Sequence, residues 1–158
     1  MRKTLFSAAL ALAAIAAHAQ LVEVASVKEV NLPQNMVASI PTISPDGSFV
    51  VISDAGTDAL TKVNIADGAT QLITANGNGH DVTISADGSR VVFRQNTIDR
   101  RHLRRTALKS VEVATGLETE IVAPTRRLNT GIAMAGNSVT AVENGRVRAR
   151  SLDGSRAQ

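Results

Sequence analysis

The sequence has 158 residues, carries 17 Lys/Arg against 14 Asp/Glu for a net charge of +3, and contains no Cys, Trp or Tyr. This excludes a disulfide framework and any cysteine-based nucleophile or metal site, and it leaves no Trp or Tyr platform for stacking a sugar or a base. Phe6, Phe49 and Phe93 are the only aromatic residues, so a core must be built from Val, Ile, Leu and Ala.

Residues 1–19 read as a secretory signal peptide. Arg2 and Lys3 precede an Ala/Leu-rich apolar stretch that ends in the A-x-A pattern Ala17-His18-Ala19. The apolar stretch is shorter than the ~20 residues a membrane-spanning helix needs, so cleavage near Ala19 and no later membrane span are expected. The remaining residues, 20–158, are the size of one ordinary domain. Their charge is split: residues 20–93 hold three Lys/Arg and eight Asp/Glu, residues 94–158 hold twelve and six. Two electrostatic faces, or attraction between copies, follow from that asymmetry.

Three copies of one unit succeed each other. In the first, at about 38–74, a strand at 39–43 leads through Ser44-Pro45-Asp46-Gly47-Ser48 into a strand at 49–53, and strands at 60–65 and 70–74 follow. In the second, at about 81–124, Ser85-Ala86-Asp87-Gly88-Ser89 returns 41 positions later, with strands predicted at 82–85, 90–93, 108–113 and 119–122. A third, degenerate copy at about 129–155 keeps Gly136 but has Ala135 in place of the Asp, and it ends on Asp153-Gly154. Short β-branched runs punctuated by Asp-Gly predict an antiparallel meander, and a period near forty predicts a repeat architecture. Pro45 presets one turn dihedral, Asp46 and Asp87 bond their own downstream backbone, and Gly47 and Gly88 accept positive φ. The two aspartates are therefore turn-formers and not a carboxylate pair. The third copy lies seven positions further on than the first spacing requires, and the excess is read as a loop insertion at 98–104.

The strings ISPDGSFVVIS…KVNIADGATQLIT and ISADGSRVVF…KSVEVATGLETEIV resemble the repeat of TolB-like, WD-repeat-like β-propellers. The resemblance implies an all-β fold, a partial β-propeller of about three four-stranded antiparallel blades. Ordinary rings have four to eight blades. Residues 21–30 alternate like a strand and are expected to supply the strand missing from the third blade. Two copies pairing as three plus three blades would close a ring; a truncated propeller is the alternative. His80, just ahead of the second blade's innermost strand, is expected in a structural hydrogen-bond network of the kind such blades use.

Residues 94–105 are the densest charged run, with Arg94, Arg100, Arg101, Arg104 and Arg105 beside His102. They form either a contact for an anionic partner or a solvated hairpin loop. Residues 76–81 approach a calcium-binding nonapeptide but occur once, and read as a turn between blades. The sequence has no G-x-S-x-G elbow, no Cys/His metal set and no phosphate-cradling loop, so no enzyme, no metal and no cofactor are expected. The function expected is a protein–protein interaction scaffold, with a protein partner in the cell envelope and no nucleic acid. The resemblance places it in the periplasm or makes it a secreted protein. The alternatives are the gating propeller, or a fragment, of a prolyl-oligopeptidase-type serine peptidase, and a small-ligand-binding propeller.

Overall fold

In the repeated turn, the two serines complete a circuit that the aspartate begins. The Ser44 backbone N–H donates to the Phe49 carbonyl at 2.9 Å, and the Phe49 N–H returns to Ser44 Oγ at 3.0 Å. The Ser44 hydroxyl then donates to Asp46 Oδ1 at 2.6 Å, and Asp46 Oδ1 also accepts the Ser48 N–H and hydroxyl. The second copy repeats every one of these bonds through Ser85, Asp87, Ser89 and Arg90. Gly47 and Gly88 hold φ near +70°, where a side chain would be strained. A turn that satisfies its own polar groups fixes the register of both flanking strands.

The computed structural model describes residues 29, 32, 36–54, 59–75 and 80–155. The signal peptide expected at 1–19 lies outside them, as do the closing strand expected at 21–30, Glu29 excepted, and residues 76–79 of the glycine-rich turn. Eleven strands are present among the described residues. Sheet 1 is β1 (Ala38–Ile43), β2 (Phe49–Asp54), β3 (Leu60–Asn64) and β4 (Thr70–Thr74), in that order. Sheet 2 is β5 (His80–Ile84), β6 (Arg90–Ile98), β7 (Arg104–Glu112) and β8 (Glu118–Thr125). Sheet 3 has β9 (Leu128–Ala135), β10 (Ser138–Glu143) and β11 (Arg146–Ser151), with β10 in the middle. All pairings are antiparallel between chain neighbours.

The sheets stack through two cores. Phe49, Val51, Leu60 and Ile73 of sheet 1 meet Ile84, Val91, Phe93, Val111 and Val113 of sheet 2. Val92, Leu108, Ile121 and Val122 of sheet 2 meet Leu128, Val139, Ala141 and Leu152 of sheet 3. Sheet 2 is covered on both faces, which explains why Val91, Val92 and Phe93 are all fully buried while β1 shows no buried residue.

The first strands of the sheets lie side by side, β1 beside β5 and β5 beside β9. Each is bulged. The register slips between Ser39 and Thr42, between His80 and Thr83, and opposite Ala141 to Glu143. Within the slips, Ile40, Asp81 and Gly131 have φ of 37°, 56° and 90°. Glycine takes this region freely, aspartate with modest cost, and the β-branched Ile40 with strain on the order of 1–2 kcal/mol.

The loop expected at 98–104 is present as the hairpin turn 99–103, and the strands on either side of it run further than the 90–93 and 108–113 expected. β6 and β7 are nine residues each and stay paired from Arg90↔Glu112 to Ile98↔Arg104. Thr97 and Ile98 are β-branched, and cross-strand pairing satisfies backbone groups that an open loop would leave to water.

The turn after β11 at Asp153-Gly154 differs from its counterpart after β3 at Asp67-Gly68. Leu152 N–H bonds the Asn137 carbonyl, as Ile65 bonds Ser48 and Val113 bonds Ser89, so its place in the sheet is equivalent. Its chemistry is that of the β1–β2 turn: Ser151-Leu152-Asp153-Gly154-Ser155 closes with Gly154 N–H on Ser151 and Ser155 N–H on Asp153. Gly154 is required twice over. Its φ is +75°, and a Cβ there would stand 3.3 Å from Thr119 Cγ2.

Hydrogen bonds from Ser44 to Asp46, from Ser85 to Asp87 and from Ser155 to Asp153 lead in drawing each carboxyl from 3.8 down to about 2. A native carboxyl that is the stronger acid makes the unfolded chain bind more protons, so stability is present above the unfolded value and lost below it. Unfolding midpoints are expected to hold level down to about pH 4 and to fall from there toward pH 2. Asn at all three positions keeps the turn geometry and is expected to flatten that acid limb in urea titrations. An unaltered limb would assign it to other carboxylates.

Candidate functional site

The hairpin of β6 and β7 outgrows its sheet. β5 accompanies β6 no further than His80↔Arg94, and β8 accompanies β7 no further than Thr106↔Thr125. Among the described residues the two strands beyond these pairs have only each other, with Thr106 Oγ1 donating to Asn96 Oδ1 at 2.8 Å across the arm. Asp99 builds the tip. Its Oδ1 accepts the Arg101 and Leu103 N–H groups, its Oδ2 accepts Arg105 Nε at 2.7 Å, and its carbonyl accepts His102 N–H. The bond from Leu103, and then that from Arg105, holds the Asp99 carboxyl below the ordinary aspartate range. His102 turns the chain at φ 57°.

The five arginines of the charged run divide into three fates. Arg100, Arg101 and Arg104 are exposed and make no ion pair among the described residues. Arg105 is tied to Asp99. Arg94 does not belong to the surface at all: it is 8% exposed, its Nη1 bonds Asp81 Oδ2 at 2.8 Å and its Nη2 bonds the Leu128 carbonyl at 3.2 Å. Side chains alternate along a strand, and at Arg94 the alternation points toward sheet 3. Ile98 lies beside the exposed arginines and is 73% exposed. The tip thus offers three unneutralised guanidiniums and one apolar side chain on a narrow arm. Unpaired guanidiniums attract anions electrostatically. Among the described residues, no three His, Cys, Asp or Glu converge as a metal site, and no helix is long and apolar enough to cross a membrane.

No protein-family model matches the chain, and no curated protein matches it in sequence. Solved structures do match it. The β-propeller domain of the trilobed protease from Pyrococcus furiosus, 12% identical, aligns with TM-score 0.59 over 80% of this chain and 43% of its own. The fold is a partial β-propeller. Each sheet is a blade. The acylaminoacyl peptidase of Pyrococcus horikoshii aligns at TM-score 0.60 and 13% identity, over 77% of this chain and 24% of that one. The oligogalacturonate lyase of Vibrio parahaemolyticus gives 0.58 and 16%, over 75% and 38%. The chain spans less than half the length of each of these proteins. At such identities the likeness is one of fold.

Blade geometry explains what the sequence concealed. Arg94 faces the seam between the second and third blades, where it bonds Asp81 of its own blade and the Leu128 carbonyl of the third, and the inner-strand bulge at Asp81 presents that carboxylate. His80 opens β5, opposite Arg94 in the ladder. The one available signal was position: Arg94 stands 41 residues after Ser53, whose hydroxyl reaches back to the Ser39 carbonyl. Both side chains thus tie their strand to the blade's inner edge.

Proposed function

We propose that this chain is the propeller-repeat portion of an exported, TolB-like envelope protein, a non-catalytic scaffold whose Arg100, Arg101 and Arg104 arm contacts an acidic protein surface. One observation carries the reading: a two-stranded arm leaves the second blade and ends in three exposed arginines without ion pairs. A solvated loop needs no such rigid support. Here Asp99 takes four hydrogen bonds from groups at the tip and spares these three side chains.

An exposed charge contributes about 0.5 kcal/mol to such a contact, so the three together are worth roughly tenfold in affinity. The test is pull-down from an envelope extract, scored by mass spectrometry, with wild type and the Arg100→Ala, Arg101→Ala, Arg104→Ala triple variant. A specific partner should be captured about tenfold less by the variant, and about 0.5 M salt should weaken wild-type capture similarly. Equal capture by both proteins would remove the arm from the interface.

The likeness to peptidase propellers supports a second reading, in which the blades gate a prolyl-oligopeptidase-type serine peptidase. That reading expects the same pull-down to return a hydrolase chain, bound equally by wild type and the arm variant.

A further inference from the structure

The repeat allows the two seams between blades to be compared position by position, and they differ at one place. Phe49 and Arg90 are equivalent. Each follows the turn's second serine, each donates its backbone N–H to the first serine's hydroxyl, and they stand 41 residues apart. In the first seam the Phe49 ring packs against Gly88 of the next blade, 3.6 Å from where a Cβ would sit, with Lys62 Nζ 4.9 Å above the ring. In the second seam Gly136 holds the place of Gly88, and the short Ser110 replaces Lys62 across the strand. The space that Phe49 fills in one seam is in the other an open cavity of about 280 Å³, lined by Ser85, Asp87, Ser89, Arg90, Asn137 and Leu152, among others.

The chemistry of that cavity is unbalanced. Arg90 Nη1 is buried and has no hydrogen-bond partner among the described residues. Arg90 and Asp87 both line the cavity yet make no ion pair with each other. Glu112, opposite Arg90 on β7, accepts from Thr115 instead. Buried guanidinium donors are ordinarily satisfied, so one without a protein partner at a cavity wall can take an acceptor from within the cavity. Asp87 Oδ1 is saturated by the turn, whereas its Oδ2 accepts only the Ser89 hydroxyl and has room for one more donor.

We infer that the seam between the second and third blades binds a small carboxylate bearing a hydroxyl or ammonium group next to it, the carboxylate on Arg90 and the neighbouring donor on Asp87. The cavity lies at the small end of ligand sites, which limits the ligand to a small molecule. Asp87 stays ionised throughout the neutral range and so repels a dianion, which sets the class apart from phosphate. This site is separate from the arginine arm and does not depend on the scaffold reading.

Amide NMR of the purified protein, titrated with glycolate, acetate and inorganic phosphate, tests it. Glycolate should give saturable shifts at Gly88, Gly136 and Asn137, bind at least about fivefold tighter than acetate, and bind tighter than phosphate. Arg90→Gln should weaken glycolate at least about tenfold. Arg90→Phe, which copies Phe49, should abolish binding while melting no lower than wild type, so that loss of binding is not loss of fold. Absence of saturation with glycolate, equal binding by Arg90→Phe, or tighter binding of phosphate would each overturn the assignment.

Discussion

Phe93→Ala is expected to destabilise the protein by about 3–5 kcal/mol, a large share of the ~5–15 kcal/mol that holds a domain of this size together. Phe93 is fully buried at the centre of β6 and packs in the core that joins the first two blades. Apart from Phe49 and Leu60, that core is Val and Ile, whose branched side chains relax little into the space a missing ring leaves. Removing the ring costs its transfer free energy and leaves a cavity among β-branched side chains that move little. Urea unfolding reads the effect as a lowered midpoint. Phe93→Leu, which keeps most of the volume, should cost only about 1–1.5 kcal/mol. A cost below about 1 kcal/mol for alanine would mean that the first seam is not a packed core.

The next residue faces the other way and fails by other physics. Arg94→Ala is expected to cost about 2–4 kcal/mol, because it strips both partners from a link that ties β6 to Asp81 and to the Leu128 carbonyl. The Asp81 side chain is about one-third exposed, 35%, so water recovers part of the loss and holds the figure below that of a fully buried pair. Arg94→Met tests the cause. It keeps the buried stem and removes the charge, and with Asp81→Asn added no uncompensated carboxylate remains. That double variant should recover more than half of the alanine loss. If it is as unstable as Arg94→Ala, packing and not the polar link accounts for the effect. Among the described residues Arg94 Nε is itself buried without a partner, so the link is not fully satisfied even in the native blade seam.

The two seams show how one scaffold accommodates unlike contents. The first is closed by an aromatic ring under a cation, the second by a buried polar link at one end and an open cavity at the other. Sheet 3 keeps its own geometry through a bidentate pair, Arg150 Nε and Nη2 on Glu143 at 2.6 and 2.7 Å. The Arg150 hydrogen bonds, aided by its charge, hold the Glu143 carboxyl below its usual range. Between β10 and β11, Asn144 and Gly145 both take positive φ, as a two-residue hairpin turn requires.

Much of the architecture is legible in the sequence, because it is written in local chemistry. Ser-x-Asp-Gly-Ser satisfies its own donors within five residues, so the turn, the strand spacing and the 41-residue period follow from the sequence with little help from the rest of the chain. The aspartates were readable as turn-formers for the same reason. The serines that complete the circuit stand at identical places in both copies. What only the tertiary structure decided is which neighbour each strand residue meets. Arg94 and Arg100 look alike in a basic run, but one bonds a carbonyl 34 residues away and the other faces water. Phe49 and Arg90 occupy the same position in the repeat, and the ring of one packs on the next blade while the guanidinium of the other lines a cavity there. Side-chain fate in a stacked fold depends on the next blade's surface, and those contacts are long-range, so local sequence determines the blade and the seam between blades determines the site.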